Sequence, residues 1–168
     1  MGSLMYAFLV IAVALQRVME LQISRSNEAH LRRKGAVEHG AGHYPLMVAL
    51  HALWLVACLA EWWTAPLALP WGVCLSAWVM FLAGQYLRWA TIRTLRRRWT
   101  TRVLVLEGVE LVAEGPFRHL NHPNYLGVSL EIAALPLIGG CWRTALVFGV
   151  LNLLLLCHRI RVEDRALR

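Results

Sequence analysis

The residues best suited to chemistry in this sequence include a histidine, a proline and a tyrosine at the start of an apolar run. They are His122, Pro123 and Tyr125. Because proline fits the first turn of a helix but not its interior, a helix is expected to begin at Pro123, with His122 as its N-cap. The free N–H groups and the positive dipole end of that helix would attract an anion. The alternative is an ordinary helix start at a membrane surface, with His122 and Tyr125 as amphipathic anchors.

A second polar group lies in the C-terminal tail. Glu163 and Asp164 are adjacent there, with basic residues on both sides. In a helix, Arg159 and Glu163 are four residues apart and form a weak ion pair on a solvated face, which is the simplest interpretation of the tail alone. The tail is nevertheless expected on the same side of a membrane as His122, so the two polar groups could share one site.

The composition indicates a small polytopic membrane protein. The chain has 168 residues, of which 58% are hydrophobic and 16% charged, and its mean hydropathy is +0.51. Soluble domains have roughly 45–50% apolar and about 25% charged residues. The net charge of +7 comes from arginines between apolar runs, so membrane orientation explains it and no nucleic-acid partner is expected. The spacing of the histidines and of the isolated cysteines does not suggest a metal site.

Apolar runs predict five transmembrane helices, at residues 4–21, 44–63, 71–92, 124–138 and 144–158. The last two are short for a hydrocarbon layer of roughly 30 Å, and the glycine pair between them favours a helical hairpin. The predicted fold is therefore an all-α integral membrane protein with a C-terminal cytosolic helix.

The basic residues predict how the chain is oriented. They concentrate in segments 24–43, 93–122 and 159–168, whereas 64–70 and 139–143 hold one arginine between them. By the positive-inside rule the three basic segments face the cytosol and the N-terminus lies outside.

One basic segment also contains a β-strand pattern. Residues 101–106 alternate and are rich in β-branched side chains, and Glu107-Gly108 separates them from a second apolar run at 109–113. This pattern predicts a short β-hairpin at the membrane surface.

The two polar groups together resemble the isoprenylcysteine carboxyl methyltransferase family, membrane enzymes that use S-adenosylmethionine. The family pattern is Gly-Pro-aromatic-Arg, Arg-His-Pro-x-Tyr-x-Gly, a helical hairpin and Arg-Ile-x-x-Glu-Glu-x-x-Leu. It is matched by Gly115, Pro116, Phe117, Arg118, His122, Pro123, Tyr125, Gly127, Arg159, Ile160, Glu163 and Leu167. Asn121 stands where the family usually has arginine, and Asp164 where it usually has a second glutamate.

The resemblance covers residues 93–168 well and the first ninety residues only in their span layout. It implies a methyltransferase core at 93–168 and a three-span region at 1–92 with a basic loop at 24–43, together one structural domain. A short bacterial-type member is expected in the bacterial inner membrane, with its active site in the cytosol. Its oligomeric state is left open.

The resemblance also implies an S-adenosylmethionine pocket between the helix start, the hairpin and the tail. The acids would hold ribose hydroxyls or the amino group, Arg159 the carboxylate, and Tyr125 the sulfonium against its ring. No glycine-rich fingerprint follows a strand, so a Rossmann-type site is not expected. The expected cofactor-binding residues are His122, Tyr125, Arg159, Glu163, Asp164 and Arg118.

The methyl acceptor is expected to be a small amphiphile, such as an alkylated phenol, pyrone or quinone-like lipid, or a prenylcysteine-type carboxylate. His122 and Glu131 are the candidate catalytic residues. Glu131 lies inside a span, where an ionisable group is costly and is a functional candidate by default. It could accept a phenolic proton, or it could be a structural partner of Arg88 or Asn152. The residues expected to bind the acceptor are Gln85, Arg88, Trp89 and Glu131.

Two other functions compete with methyl transfer. A nicotinamide-dependent membrane reductase of the sterol or steroid reductase kind shares a similar His-Pro-x-Tyr element, but usually continues with Gly-Glu, whereas here Gly127 precedes Val128. A non-catalytic membrane subunit or transporter is the other alternative. A transporter would be expected to have paired halves, and the sequence has no such duplication.

Overall fold

Five α-helices make up most of the described protein. The structure is a computed structural model that describes residues 3–167. Met1 and Gly2, at the start of the predicted region 1–92, and Arg168, at the end of the predicted region 93–168, lie outside the described residues. The helices are α1 (Ser3–Arg33), α2 (Tyr44–Thr64), α3 (Trp71–Leu95), α4 (Pro123–Ile138) and α5 (Trp142–Ala166). The predicted all-α class is confirmed.

Within the described residues, three helical segments are long and apolar enough to cross a membrane. They are Leu4–Arg33, Ala41–Thr64 and Trp142–Ala166. The fourth helix, α4, has only 16 residues, as its short apolar run predicts. It is nevertheless the centre of the molecule, because most of its residues are buried between α3 and α5. Trp54 of α2 is fully buried as well and donates from its indole N–H to the Ile132 carbonyl of α4, at 3.2 Å.

Two helices extend beyond their predicted spans. The first apolar run ends near Leu21, but α1 continues to Arg33 because no glycine or proline interrupts it. It ends just before Gly35, which adopts a positive φ of 89°. At the other end of the chain, the expected C-terminal helix is the last part of α5 rather than a separate element.

A two-stranded antiparallel sheet joins two of the basic segments. The strand predicted at 101–106 is present as β2 (Val103–Val105), but its partner is β1 (Val37–His39) rather than residues 109–113. The predicted local partner was wrong because pairing at long range is reinforced by charge: Arg102 Nη1 donates to Glu38 Oε1 at 2.5 Å. Although partial burial raises it, the pKa of Glu38 is held below its usual range by hydrogen bonds from Arg102 and Arg32.

The contact between α3 and α4 depends on two glycines that face each other. A Cβ added to Gly84 would lie 2.8 Å from the Gly127 carbonyl oxygen, and one added to Gly127 would lie 2.9 Å from the Gly84 carbonyl oxygen. Because both obstacles are backbone atoms, they cannot move aside without separating the helices. Small residues at such positions let the helix backbones approach closely.

We therefore expect Gly84→Val to lower the free energy of unfolding by about 1–3 kcal/mol through overpacking. The measurement is the thermal unfolding midpoint of the detergent-solubilised protein. Gly149→Val in α5 is the matched control, because a Cβ at Gly149 would meet no atom within 4 Å. Equal midpoints for the two variants would show that the close α3–α4 approach does not limit stability.

Candidate active site

The start of α4 is bound to the end of α5 by two pairs of side chains. His122 precedes Pro123, the first residue of α4, as predicted. Its Nε2 lies 3.1 Å from Asp164 Oδ1, and its ring stacks on that of Tyr125, with centroids 5.3 Å apart. The Tyr125 hydroxyl donates a hydrogen bond to the Glu163 carboxylate. The two polar groups found in the sequence therefore meet in space.

Arg159 also holds Tyr125 in place. Its Nε donates to the Tyr125 hydroxyl oxygen at 2.8 Å, and the guanidinium lies over the tyrosine ring, 5.4 Å from its centroid. The remaining nitrogens contact Met47 Sδ and the Thr101 carbonyl oxygen, at 2.8 and 2.6 Å. Arg159 is only 4% exposed, so its first role is to position Tyr125 and to join α5 to α2 and to the strand segment.

Thr101 connects three helices through hydrogen bonds, and it was not predicted from the sequence. Besides accepting from Arg159, its backbone N–H donates to Ser24 Oγ at 2.8 Å, and its hydroxyl lies 3.2 Å from that of Tyr44. No local pattern could have identified it, because its partners come from α1, α2 and α5. Through it, the three basic segments meet at one end of the helical bundle.

A cavity of nucleoside size lies beside these side chains. It has a volume of about 1010 Å³ and is lined by His122, Glu163 and Asp164 on one side and by residues 104–109 on the other. A smaller cavity of about 120 Å³ adjoins it, sharing His122 and Glu163 and reaching Tyr125 and Arg159. Ligand pockets in proteins usually measure about 300–1,000 Å³, so the larger cavity can hold a nucleotide-sized molecule.

One buried polar atom in this region has no protein partner. Asn124 Oδ1 is buried at the start of α4 and makes no hydrogen bond within residues 3–167. Asn124 lines the smaller cavity. Buried acceptors are nearly always satisfied, so a donor from a ligand is a natural partner for this oxygen. With the two carboxylates, it makes the site suited to a molecule with hydroxyl and amino groups.

Arg118 is not brought into this site. It ends the short 3₁₀ helix Gly115–Arg118, its side chain is exposed, and it lines none of the three described cavities. Five of the six expected cofactor-binding residues therefore converge, and the sixth lies on the surface.

Glu131 lies in a separate, buried ionic cluster. Its side chain is 1% exposed, and its Oε2 accepts a hydrogen bond from Arg17 and lies 3.4 Å from Arg88 Nε. Glu20 completes the cluster by accepting from both arginines. Of the two structural partners considered for Glu131, Arg88 is present, whereas Asn152 donates to Ser129 instead.

Arg17 and Glu20 were not among the residues predicted from the sequence to be functional, although both belong to this cluster. Their opposite charges three residues apart inside an apolar run were the available signal. Gln85 borders the cluster through Gln16, whose Nε2 donates to Gln85 Oε1 at 2.8 Å and to Glu20 Oε1 at 3.0 Å. Three of the four expected acceptor-binding residues, Gln85, Arg88 and Glu131, are thus directed at other protein side chains.

The fourth, Trp89, is not directed at this cluster and lies at the surface of α3. It is 55% exposed and lines an open groove of about 1380 Å³ between the end of α3 and residues 110–116. Four arginines of segment 93–98 also line this groove. Arg98 and Leu95 line the groove and both cavities near His122, so the three spaces adjoin at these residues.

These features define a helical membrane protein with a nucleotide-sized cavity at one end of its bundle, lined by apolar residues and by the polar side chains of His122, Glu163 and Asp164. A model of the isoprenylcysteine carboxyl methyltransferase family matches residues 77–168, more than half of the chain. The chain therefore belongs to this family of membrane methyltransferases, whose members generally depend on S-adenosylmethionine. The match contains all the residues that meet at the start of α4 and the end of α5, and it confirms the resemblance inferred from the motifs.

The whole chain is also similar to two bacterial proteins. It is 34% identical to the uncharacterized protein YpbQ of Bacillus subtilis (strain 168), over 98% of this chain and 97% of that protein. It is 28% identical to an uncharacterized protein of Haemophilus influenzae, over 90% of this chain and 88% of that protein. The similarity therefore extends into the first 76 residues, which the family model does not match.

Proposed function

We propose that this protein is an S-adenosylmethionine-dependent O-methyltransferase that acts on a small lipid-like amphiphile. The observation that carries the proposal is the convergence of His122, Tyr125, Arg159, Glu163 and Asp164 beside a cavity of about 1010 Å³. Membership in a family of membrane methyltransferases supports the same reaction class.

The residues present suit this cofactor. Glu163 and Asp164 would accept hydrogen bonds from ribose hydroxyls or the amino group, and Asn124 Oδ1 would accept one more. The Tyr125 ring stacks on His122 and lies under the Arg159 guanidinium, so Tyr125 would position these side chains rather than offer a free aromatic face to the sulfonium. When bound, S-adenosylmethionine supplies an electrophilic methyl group. The chain's own contribution is to orient both reactants, which is where a displacement of this kind gains most of its rate.

The proposed acceptors are alkylated phenols, pyrones or quinone-like lipids, with prenylcysteine-type carboxylates as a further class. The proposed partners are thus the bilayer and an amphiphilic small molecule. Of the two interpretations of Glu131, its position favours the structural one, because it lines none of the three cavities and faces two arginines. We propose His122 as a residue that binds the cofactor and shapes the reaction site.

The proposed orientation puts the site in the cytosol and the N-terminus outside, in a bacterial inner membrane. The contacts of Thr101 and the β1–β2 pair support it, because they gather the basic segments at one end of the bundle. Under the positive-inside rule, that end faces the cytosol.

Calorimetric titration of the purified protein with S-adenosylhomocysteine and with NADPH tests the proposal. We expect S-adenosylhomocysteine to bind with a dissociation constant between about 1 μM and 1 mM, the range usual for Michaelis constants, and NADPH to give no heat of binding. The reverse result would favour a membrane reductase, and binding of neither would favour a non-catalytic subunit. Mass spectrometry of reactions with an alkylresorcinol, an alkyl hydroxypyrone and a farnesylated cysteine then separates the acceptor classes.

A further inference from the structure

We propose that Arg98 binds the ionised head of the methyl acceptor, and that the acceptor reaches it through the groove beside Trp89. This inference rests on the proposed methyl transfer and narrows its substrate class: the acceptor is an acidic amphiphile that binds as an anion. The reaction then requires no general base from the protein.

Arg98 lies between the spaces that the two reactants would occupy. Arg98 lines the groove of about 1380 Å³ as well as both cavities beside His122. Its neighbour Arg97 lines only the groove. A group bound to the Arg98 guanidinium would therefore lie where the groove meets the site of methyl transfer.

The backbone that holds Arg98 is fixed by contacts from α1. Asn27 of α1 is 6% exposed, and its Nδ2 donates to the carbonyl oxygens of Arg96 and Trp99, at 3.0 and 2.8 Å. The side chain of Trp99 is 3% exposed. Arg96 adopts φ 50° and ψ −118°, a conformation that costs a residue with a Cβ and persists only where the surroundings enforce it. The turn at 96–99 thus presents Arg98 from a rigid support.

The groove beside Trp89 carries an excess of positive charge. Arg93, Arg96, Arg97 and Arg98 line it and form no ion pair with any residue in the described range 3–167, whereas Glu110 and Glu114 are the only acids along its walls. Arg98 uses one N–H of Nη2 to donate to the Glu110 carbonyl oxygen, at 2.8 Å, and the rest of its guanidinium stays free.

The walls of the groove also suit an alkyl chain. Leu87, Trp89, Leu111 and Val112 line it, and Trp89 and Tyr86 are exposed on the outer face of α3. Exposed aromatic residues of this kind are typical of the membrane–water interface. An amphiphile could therefore keep its chain at the bilayer while its head meets Arg98, and an anionic head complements the positive charge of that guanidinium.

Anionic binding simplifies the chemistry. The acceptor oxygen, already ionised, attacks the methyl carbon, and the carbon–sulfur bond breaks with its electron pair remaining on sulfur. The negative charge of the oxygen and the positive charge of the sulfonium cancel, so no proton needs to leave. The absence of Glu131 from all three cavity linings agrees with a reaction that uses no carboxylate base there.

The test uses two photoreactive probes, a diazirine-bearing palmitate and the matching fatty alcohol, with the full chain in phosphatidylcholine nanodiscs. We expect the palmitate to label residues 86–120 about three- to tenfold more than the alcohol, the preference that a partly exposed charged hydrogen bond gives. Arg98→Gln should remove the preference, whereas Arg98→Lys and the control Arg97→Gln should keep it. Labelling of the exposed leucines of α5, Leu151, Leu153 and Leu154, should be equal for both probes.

Several results would overturn the inference. One is equal labelling by both probes in the wild type, and another is a preference for the palmitate that survives Arg98→Gln. A third is a preference for the palmitate that disappears when the nanodiscs contain phosphatidylglycerol, because bulk anionic lipid would then be the occupant of the groove. Loss of S-adenosylhomocysteine binding in Arg98→Gln would assign Arg98 to the cofactor instead. A wild type that prefers the palmitate but binds no S-adenosylhomocysteine would support the anion site and overturn only the methyl transfer.

Discussion

Replacing Glu163 by glutamine is expected to weaken S-adenosylhomocysteine binding by about 10- to 100-fold, the effect of losing a charged hydrogen-bond acceptor. Glutamine keeps the size of the side chain and can still accept from the Tyr125 hydroxyl, so the link between α4 and α5 remains. The change therefore removes the negative charge from the cavity wall with little change in its shape. Calorimetric titration measures the effect.

The matched control for this prediction is Glu110→Gln. Glu110 is an exposed acid that lines the groove but neither of the cavities beside His122. It should change the affinity less than twofold, since surface charges of this kind contribute little. An unchanged affinity in Glu163→Gln, with an unchanged unfolding midpoint, would contradict the assignment of the cofactor site to the end of α5.

The convergence of α4 and α5 was predictable because its signals are local. Pro123 determines where α4 begins, the glycines at 139–140 turn the chain back, and two helices joined by a short turn must run antiparallel. That arrangement brings the end of α5 near the start of α4, so the His122–Asp164 pair follows from element order and span length. The family motif added the residue identities to this geometry.

The remaining features depend on contacts between distant parts of the chain. The partner of β2 comes from a loop more than sixty residues earlier, and nothing in the pattern of residues 101–113 distinguishes it from a local hairpin. Arg17 and Glu20 join Glu131 only because α1 packs where α3 and α4 meet. The place of Arg98 between three cavities likewise depends on a turn that Asn27 holds from α1.

The second large effect is expected in the buried ionic cluster around Glu131. Glu131→Ala should lower the free energy of unfolding by about 3–5 kcal/mol. Arg17 and Arg88 would keep only Glu20 as a counter-charge, which leaves one positive charge buried without a partner. Desolvation of an unpaired ion is far more costly than desolvation of a matched pair. The thermal unfolding midpoint in detergent, measured beside the wild type, reports the loss.

Restoring charge balance distinguishes a structural role from a catalytic one. In Arg17→Gln/Glu131→Gln, one charge of each sign is removed, so Arg88 and Glu20 remain as a neutral pair. The double variant should lose less free energy of unfolding than the two single glutamine variants lose together. We expect the difference to be about 1–3 kcal/mol, because neighbouring residues in one ionic network are coupled. If Glu131 only holds the helices together, methyl transfer by the folded double variant should be close to that of the wild type. Stable protein that binds S-adenosylhomocysteine normally but no longer methylates a phenolic acceptor would instead make Glu131 the base, and would contradict the view that the acceptor arrives already ionised.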